Sequence, residues 1–261
     1  MKKFSILSWN VEHFRLKSKD VEGILGHIHS FDPDVIGMYE VEGKDVYDYM
    51  VSSFPNYSFH ITEGPQTQEI LVGVRGTMTS FLTQRVEFKT GNDFLRPGAL
   101  LSLHHNDTNY SLLFLHTRSF PEPIGFGTRD SQFQHAFRLK KNLDKKEQDG
   151  QARFIILGDL NTMGMKYPFE KSIVSDIELQ KLQRDAEKSN MRILSKDHDQ
   201  TWTDGKKTSN LDHVIASTNL EFKKYGEHDV HVSGWSDLEG AKRKHFVSKI
   251  SDHNSLYLEL V

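Results

Sequence analysis

The segment "FIILGDLNT", Phe154 to Thr162, runs four large hydrophobes into an interior and then exits through Asp159 and Asn161. Alternation on a strand puts residues i and i+2 on one face, so this acid and amide are expected to point together if the extended geometry persists. The same pattern recurs along the chain. "SILSWN" ends in Asn10, "DVIGMYE" in Glu40 and "YSLLFLH" in His116, while "LDHVIAS" opens near Asp212 and "SDHNSLYLEL" with Asp252 and His253. Taken singly, each is ordinary: an Asn after a strand serves turns, and a lone acid caps a helix or faces water. Six apolar segments tipped with acid, amide or imidazole in one chain are not ordinary. Ligand-binding and catalytic groups sit on the ends and loops of a rigid sheet scaffold.

The elements that must position these groups follow from periodicity. "FSILSWN" and "DVIGMYEV" are apolar on both faces, as strands covered twice must be. Between and after them, "KDVEGILGHIHSF" and "KDVYDYMVSSF" space their apolar residues at helical intervals, with "GHIH" expected on the outer part of the first helix. "YSFHI", "EILVGVR", "TSFLTQ", "GALLSLHH" and "NYSLLFLHT" then read as strands. A long helix over "TRDSQFQHAFRLKKNLDKKEQ" precedes the opening segment, and a charged helix, "DIELQKLQRDAEKSN", follows it. The chain closes with short strands in "RILS", "QTWT", "LDHVIAS", "EFKKYG", "DVHVS" and "NSLYLEL". Strands flanked by helices in both halves, without steady βαβ alternation, predict an α/β fold of two packed sheets with helices outside. No repeat or long linker divides the chain, so one domain over residues 1–261 is expected.

Composition narrows the functions. At 36% hydrophobic and 26% charged residues, the 261-residue chain has the make-up of a soluble globular protein. A net charge of −3 gives no global basic field of the kind that drives tight non-specific nucleic-acid binding, although a local basic groove is compatible with it. The absence of cysteine removes disulfides, thiol nucleophiles and cysteine-ligated zinc. Ser5, Ser8 and Asn10 interrupt the apolar stretch near the N-terminus, which makes a poor signal peptide. A cytoplasmic protein with no stable membrane association is expected, acting as a monomer.

The ordered set "SWNVEHF", "DVIGMYEVE", "LLFLHT", "FIILGDLNT", "TW", "LDHVIAS" and "SDHNSLYLEL" resembles the endonuclease/exonuclease/phosphatase (deoxyribonuclease I-like) superfamily over nearly the whole chain. The resemblance implies a four-layer sandwich of two mixed β-sheets flanked by α-helices. It also implies cleavage of a phosphate ester that depends on Mg²⁺, with Mn²⁺ as a substitute. Oxygen ligands suit such an ion, which keeps several waters and asks one or two carboxylates of the protein.

On this resemblance Glu40 is the first metal ligand, with Asn10 and Asp252 completing or bridging the shell and Glu12 nearby. Asp159 would hold and polarise the attacking water, and Asn161 would donate to the phosphate. Asp212 would fix the tautomer of His253, which would face the phosphate as base, acid or electrostatic clamp. His116 matches a histidine that deoxyribonuclease relatives pair with a glutamate; Glu69, with a one-residue uncertainty, is the candidate partner. Arg96 resembles a phosphate-contacting arginine of that branch. The chain departs from the family pattern at Tyr39, where Gln is usual, at Asn210, where Arg is common, and at His213, expected to pack or support.

Nucleic acid is the expected substrate. "GKK" at 205–207, "KK" at 223–224 and "AKRKHF" at 241–246 would line a phosphate backbone if they stand on the rim of the site. The alternatives are a phosphatase or phospholipase-type phosphodiesterase using the same residues on a small or lipid phosphate ester, or a binding protein that lost turnover. A histidine zinc site is the weakest reading, because no His-Glu-x-x-His pattern accompanies the fourteen histidines.

Overall fold

A computed structural model of the chain describes residues 2–65, 68–168 and 171–261. Two six-stranded sheets stack face to face. The first holds, in spatial order, β13 (His231–Ser233), β14 (Ser255–Leu260), β1 (Phe4–Phe14), β2 (Val35–Val41), β4 (Glu69–Arg75) and β3 (Tyr57–Ile61). The second holds β5 (Thr79–Arg85), β6 (Gly98–His105), β7 (Thr108–His116), β8 (Phe154–Asp159), β12 (Asp212–Ser217) and β9 (Met191–Ile193). Both are mixed: β1 and β2 pair in parallel, as do β7 and β8, and the remaining pairs are antiparallel. A small hairpin, β10 (Trp202–Thr203) with β11 (Thr208–Ser209), stands apart from the two sheets.

Pleating sorts the core into layers. Ile6, Val35, Leu101, Phe114, Ile155, Val214 and Leu258 fill the space between the sheets. Their neighbours one residue along, such as Leu7 and Ile36, turn to the outer face of the first sheet under α1 (Val21–Phe31) and α2 (Lys44–Ser53). Ile156 and Ile215 likewise turn outward to meet Phe133, Phe137 and Leu182 from α3 (Pro123–Asp144) and α4 (Ser175–Glu187). The result is the four-layer helix–sheet–sheet–helix sandwich that the doubly apolar strands require.

Some local expectations differ. α3 begins at Pro123, ahead of Thr128, where the expected helix opened, because proline is pre-set for the first helical turn. "EFKKYG" forms no strand; Phe222 and Tyr225 make only single bridges, to Leu260 and His228. The segment before Asp252 is helical, α5 (Gly240–His245) passing into a π-helical turn over Phe246–Ile250.

His27 is not on the outer part of α1. Its ring lies 4.6 Å from that of Trp9 and 5.7 Å from that of Phe246. Nε2 is 2.8 Å from the Ser255 hydroxyl, which itself donates to the Ser233 carbonyl, so the imidazole is the donor in that contact. Burial lowers His27 from its usual 6.5 to about 4, with Asp237 opposing and His231 adding slightly. His29, by contrast, is exposed and stacks on Phe54.

Arg129 is a buried cation that ties loops of the second sheet together. Fully buried on α3, it donates from Nε to Glu178 Oε1 at 2.7 Å and from Nη2 to Oε2 at 3.0 Å. Its remaining donors reach the carbonyls of Arg118 and Phe120 in the loop after β7, and of Gly164 in the loop after β8. Glu178 closes the circuit by accepting from the Gly164 amide at 2.6 Å. One ion pair thereby fixes two of the loops at the polar end of the second sheet.

Two outcomes follow from these buried groups. Replacing Arg129 with Met leaves Glu178 buried without its counter-charge, and should lower unfolding free energy in urea by about 3–5 kcal/mol. For His27, the unfolded chain binds a proton more readily than the folded one between pH 6.5 and about 4. Stability should therefore fall as pH drops through that window. The contribution is about 2–3 kcal/mol, and denaturant melts at pH 7 and pH 4 should show His27→Gln losing that share of the acid sensitivity.

Candidate active site

Topology brings the polar tips together. β1, β2, β7 and β8 end, and β12 and β14 begin, at the same edge of the sandwich, because the first four run one way and the last two run antiparallel to them. His116 and Asp159 are register partners across β7 and β8, and Asp159 and Asp212 are partners across β8 and β12. Asn10, Glu40 and the Asp252–His253 pair reach the same place from the first sheet.

Asp159 is the centre of the cluster. Its Oδ2 accepts from Asn10 Nδ2 at 3.0 Å and lies 3.5 Å from His116 Nε2 and 3.8 Å from His253 Nε2. His253 Nδ1 is 2.8 Å from Asp212 Oδ2. Asn10 Nδ2 also donates to Glu40 Oε1 at 3.2 Å, which in turn lies 3.6 Å from His116 Nε2. Groups drawn from both sheets thus meet within hydrogen-bonding or ion-pair distance.

The backbone is held in unusual conformations to achieve this. Gly158 has φ +138°, and a Cβ there would lie 2.1 Å from the Leu115 carbonyl and 2.8 Å from the Tyr39 ring. Tyr39 spans the two sheets, its hydroxyl shared with Ser8 and donated to the Leu157 carbonyl at 3.1 Å. Glu12, His13, Glu40 and Asn161 all adopt positive φ without being glycine. Such residues cost about 1–3 kcal/mol each and collect where surrounding structure imposes them.

The loop before β14 is equally constrained. Ser251 donates to the Asn10 carbonyl at 2.6 Å and accepts from the His253 amide at 2.9 Å. Trp9 Nε1 donates to the His253 carbonyl, Trp235 Nε1 to the Asp252 carbonyl, and Trp202 Nε1 to Asp252 Oδ2 at 2.7 Å. On the far side, buried Lys196 donates to the Asp212 carbonyl at 2.7 Å and to Asn210. His213 Nε2 lies 2.7 Å from the Thr162 hydroxyl, away from Asp159.

Electrostatics follow from burial. Burial pushes the Asp159 carboxyl up to about 7; Asp212 and Glu40 add repulsion, while His253 and the Asn10 hydrogen bond oppose it. Burial and the negative charge of Glu12 and Glu40 likewise raise Asp252 to about 6, against the pull of His253 and Trp202. For His253 burial alone would lower the value, but Asp212 first, then Asp159 and Asp252, outweigh it and raise it to about 10. His116 moves the other way: burial, then the neighbouring Arg96, hold it well below 6.5.

Several expectations change in detail. The extended geometry stops at Asp159, so alternation does not align Asn161 with it. Asn161 turns into the left-handed region, its amide N–H capping Asp159 Oδ1 at 3.1 Å and its side chain donating to the Thr117 carbonyl at 3.3 Å. Glu69 does not hydrogen-bond His116: Thr62 donates to Glu69, and His116 Nδ1 is buried with no hydrogen-bond partner among the described residues. Gln68 occupies the bridging position instead. It accepts from Arg96 Nη2 at 2.6 Å and donates to Glu40 Oε2 at 3.1 Å, while the same Arg96 nitrogen lies 3.2 Å from His116 Nε2. Asn10 Oδ1 accepts from the Glu12 amide at 3.0 Å, so in this orientation Asn10 offers amide hydrogens, not oxygen, to the cluster.

Sequence reasoning missed Gln68, His13 and Glu42. His13 donates its backbone N–H to Glu40 Oε2 at 3.2 Å, and its ring pairs with Glu42, which also holds Arg15. Their only signal was adjacency to Glu69, Asn10 and Glu40, and nothing in a linear pattern distinguishes them from loop residues.

The residue set fits a hard divalent cation. Glu40, His116 and Asp159 each offer a ligand atom, all within 4.8 Å of one another, and so do Asp159, Asp212 and His253. Asp252 Oδ1 is buried and has no hydrogen-bond partner among the described residues. Carboxyls raised first by burial and then by mutual repulsion are what a bound cation would relieve, and oxygen donors favour Mg²⁺-type ions. The histidines of "HIH" and "HDVH" form no such group among the described residues.

Solved structures share this architecture. Truncated Caenorhabditis elegans TDP2 superposes with a TM-score of 0.66 at 16% identity, over 98% of this chain and 96% of that one. The Neisseria 3′ phosphatase NExo, bound to a product DNA hairpin, gives 0.67 at 12% identity over 99% of both chains. ANGEL2, a 2′,3′-cyclic phosphatase in complex with adenosine-2′,3′-vanadate, gives 0.63 at 13% identity over 98% of this chain and 95% of that one. No curated protein matches in sequence. At these identities the superpositions establish the fold, the deoxyribonuclease I-like sandwich. The sequence profile of the Endonuclease/Exonuclease/phosphatase family matches residues 7–253, nearly the whole chain and every polar strand tip described above; the chain belongs to that family and is a hydrolase of phosphoric esters.

Proposed function

We propose that the chain is a Mg²⁺-dependent nuclease or nucleic-acid end-processing phosphodiesterase, acting as a cytoplasmic monomer. The observation that carries the reading is the environment of Asp159 Oδ2, where Asn10, His116 and His253 converge within 3.0, 3.5 and 3.8 Å. A divalent ion held by Glu40 and Asp252, beside Asn10, would supply Lewis-acid polarisation of a phosphoryl oxygen. Asp159, with a carboxyl near 7, accepts the proton of the attacking water at Oδ2 as the water oxygen bonds phosphorus; the scissile P–O bond breaks in the same displacement and the departing ester oxygen takes a proton from solvent. His253, kept protonated by Asp212, donates from Nε2 to a non-bridging phosphoryl oxygen as charge develops. Arg96, whose Nε is buried without a hydrogen-bond partner among the described residues, and Asn161 hold the phosphate.

Nucleic acid is favoured as substrate by the DNA bound to one structurally similar protein and by where basic residues fall. Lys206 and Lys207 lie in the turn between β10 and β11, and β10 carries the Trp202 that holds Asp252. Lys242 and Lys244 lie on α5, a few residues before Asp252, and are exposed. Lys223 and Lys224 do not join them; Glu259 and Asp229 neutralise those two.

The test is hydrolysis of plasmid DNA, end-modified DNA, single-stranded RNA and a soluble bis-phosphodiester, with Mg²⁺, Mn²⁺ or EDTA. Metal-dependent turnover of nucleic acid should fall by about 10²–10⁴-fold in Asp159→Asn and in His253→Ala. Turnover of the small ester with nucleic acids untouched would reassign the substrate.

A further inference from the structure

Two large aromatic side chains stand in solvent on loops that adjoin the site: Phe94 is 74% exposed and Phe120 57%. A single exposed apolar residue is ordinary. These two share a rim with the catalytic cluster. β6 and β7 are antiparallel, with Ala99 opposite Phe114, so the segment before β6 and the segment after β7 leave the sheet where His116 ends it. Phe94 is two residues ahead of Arg96, whose Nη2 lies 3.2 Å from His116 Nε2. Phe120 is three residues past Thr117, whose carbonyl accepts from Asn161. At about 3.6 Å of chain per residue, Phe120 stands within roughly 14 Å of His116, the span of a few nucleotides.

Both rings are carried on fixed backbone. Buried Gln132 joins the two loops, accepting from the Arg118 amide at 3.1 Å and donating to the Phe88 carbonyl at 2.8 Å. The Phe94 amide is capped by Asn92 Oδ1 at 3.0 Å, and Leu95 beside it is buried. Phe120 has φ +76°, a conformation that disfavours an aromatic residue. It is held there by Arg129 Nη1, which donates to its carbonyl at 2.9 Å, and by the Lys166 amide, which donates to the Pro121 carbonyl at 2.7 Å. Gly125 makes the turn possible, since a Cβ there would lie 2.3 Å from the Phe120 carbonyl. The buried ion pair of Arg129 with Glu178 thus aims an exposed ring in one direction.

We propose that Phe94 and Phe120 are stacking platforms for unpaired bases beside the scissile phosphate, so that the site takes single strands or unpaired ends rather than the interior of a duplex. Every base offers a π-face, and aromatic side chains beside arginines are how strands are held without reading their sequence. Arg96 and Arg118 lie between the two rings along the chain, and the Arg118 guanidinium has no hydrogen-bond or ion-pair partner among the described residues. Exposed Asp93 and Glu122 offset that charge, so phosphate attraction alone gives this surface no grip on a strand. Insertion into lipid would ask only for apolar area, whereas stacking asks for a ring of fixed direction. The inference rests on the nucleic-acid reading of the site.

The experiment measures binding by fluorescence anisotropy in EDTA, where turnover does not intervene. The probes are oligothymidylate, a strand of the same length whose sugars carry no bases, and a blunt duplex. Wild type should bind oligothymidylate most tightly. Phe94→Ala and Phe120→Ala should each weaken that binding by about 5- to 150-fold and leave affinity for the base-free strand unchanged. Phe94→Trp should keep the affinity and show indole quenching by the bases beyond that of wild type. Phe94→Ala decides the matter if thermal melts show Phe120→Ala unfolded. Equal losses on the base-free strand, or no loss on oligothymidylate, would overturn the inference, as would tighter binding of the duplex by wild type. Loss of binding to phosphatidylserine vesicles in the variants, with oligothymidylate affinity unchanged, would overturn it in favour of a membrane contact. Mg²⁺-dependent cleavage of oligothymidylate with KM unaltered in both alanine variants would overturn it and leave the nuclease standing. If wild type neither binds nor cleaves any strand, the nucleic-acid reading itself falls, and this inference with it.

Discussion

Two carboxylates on adjacent strands, Asp159 and Asp212, are register partners in the interior, 3% exposed each, and the rest of the molecule is arranged around making that tolerable. An isolated buried charge costs far more than a domain's net stability. The main counterweight is His253, which bonds Asp212 through Nδ1 and faces Asp159 with Nε2. Because His253 comes from the other sheet, the compensation works only when the sheets are packed in register. The polar cluster and the apolar interlayer core thus depend on each other: the core brings the charges together, and the charges are affordable only in the geometry that the core fixes.

That dependence explains the local oddities at this end of the sandwich. Tyr39 reaches across to the Leu157 carbonyl, and the adjoining Gly158 must lack a side chain to let it and the Leu115 carbonyl approach. Glu40, at an irregularity near the end of β2, and Asn161, just past β8, turn into left-handed backbone, re-aiming their side chains as a regular strand would not. Regular structure delivers the residues to one edge, and departures from it set their final directions.

Support continues outward in shells of hydrogen bonds. Ser251, Trp9, Trp202 and Trp235 immobilise the Asp252–His253 loop, Lys196 anchors the start of β12 from behind, and Arg129 with Glu178 fixes the loops after β7 and β8. Groups that act on a phosphorus centre must be held to a fraction of an ångström, and rigid supporting contacts are how a site on loops achieves that precision.

The sequence by itself determined the architecture and the membership of the cluster. Doubly apolar strands must be covered on both faces, which leads to stacked sheets under helices, and polar residues at the ends of such strands must lie at a rim; that they share the same rim follows from strand direction. Asn10, Glu40, His116, Asp159, Asp212, Asp252 and His253 were legible for that reason, because each ends or opens a strongly patterned apolar run, although β1 continues past Asn10 to Phe14 and β2 past Glu40 to Val41. What only the tertiary structure decided are the contacts made by side chains from irregular backbone. Periodicity carries no information once φ changes sign, so the turn of Asn161 away from strand alternation was invisible. So were the choice of Gln68 over Glu69 as the bridge to Arg96, the inward rotation of His27 and the pairing of Lys19 with Glu12. Those pairings are set by the relative placement of loops 7 to more than 200 residues apart, which packing fixes and local pattern does not.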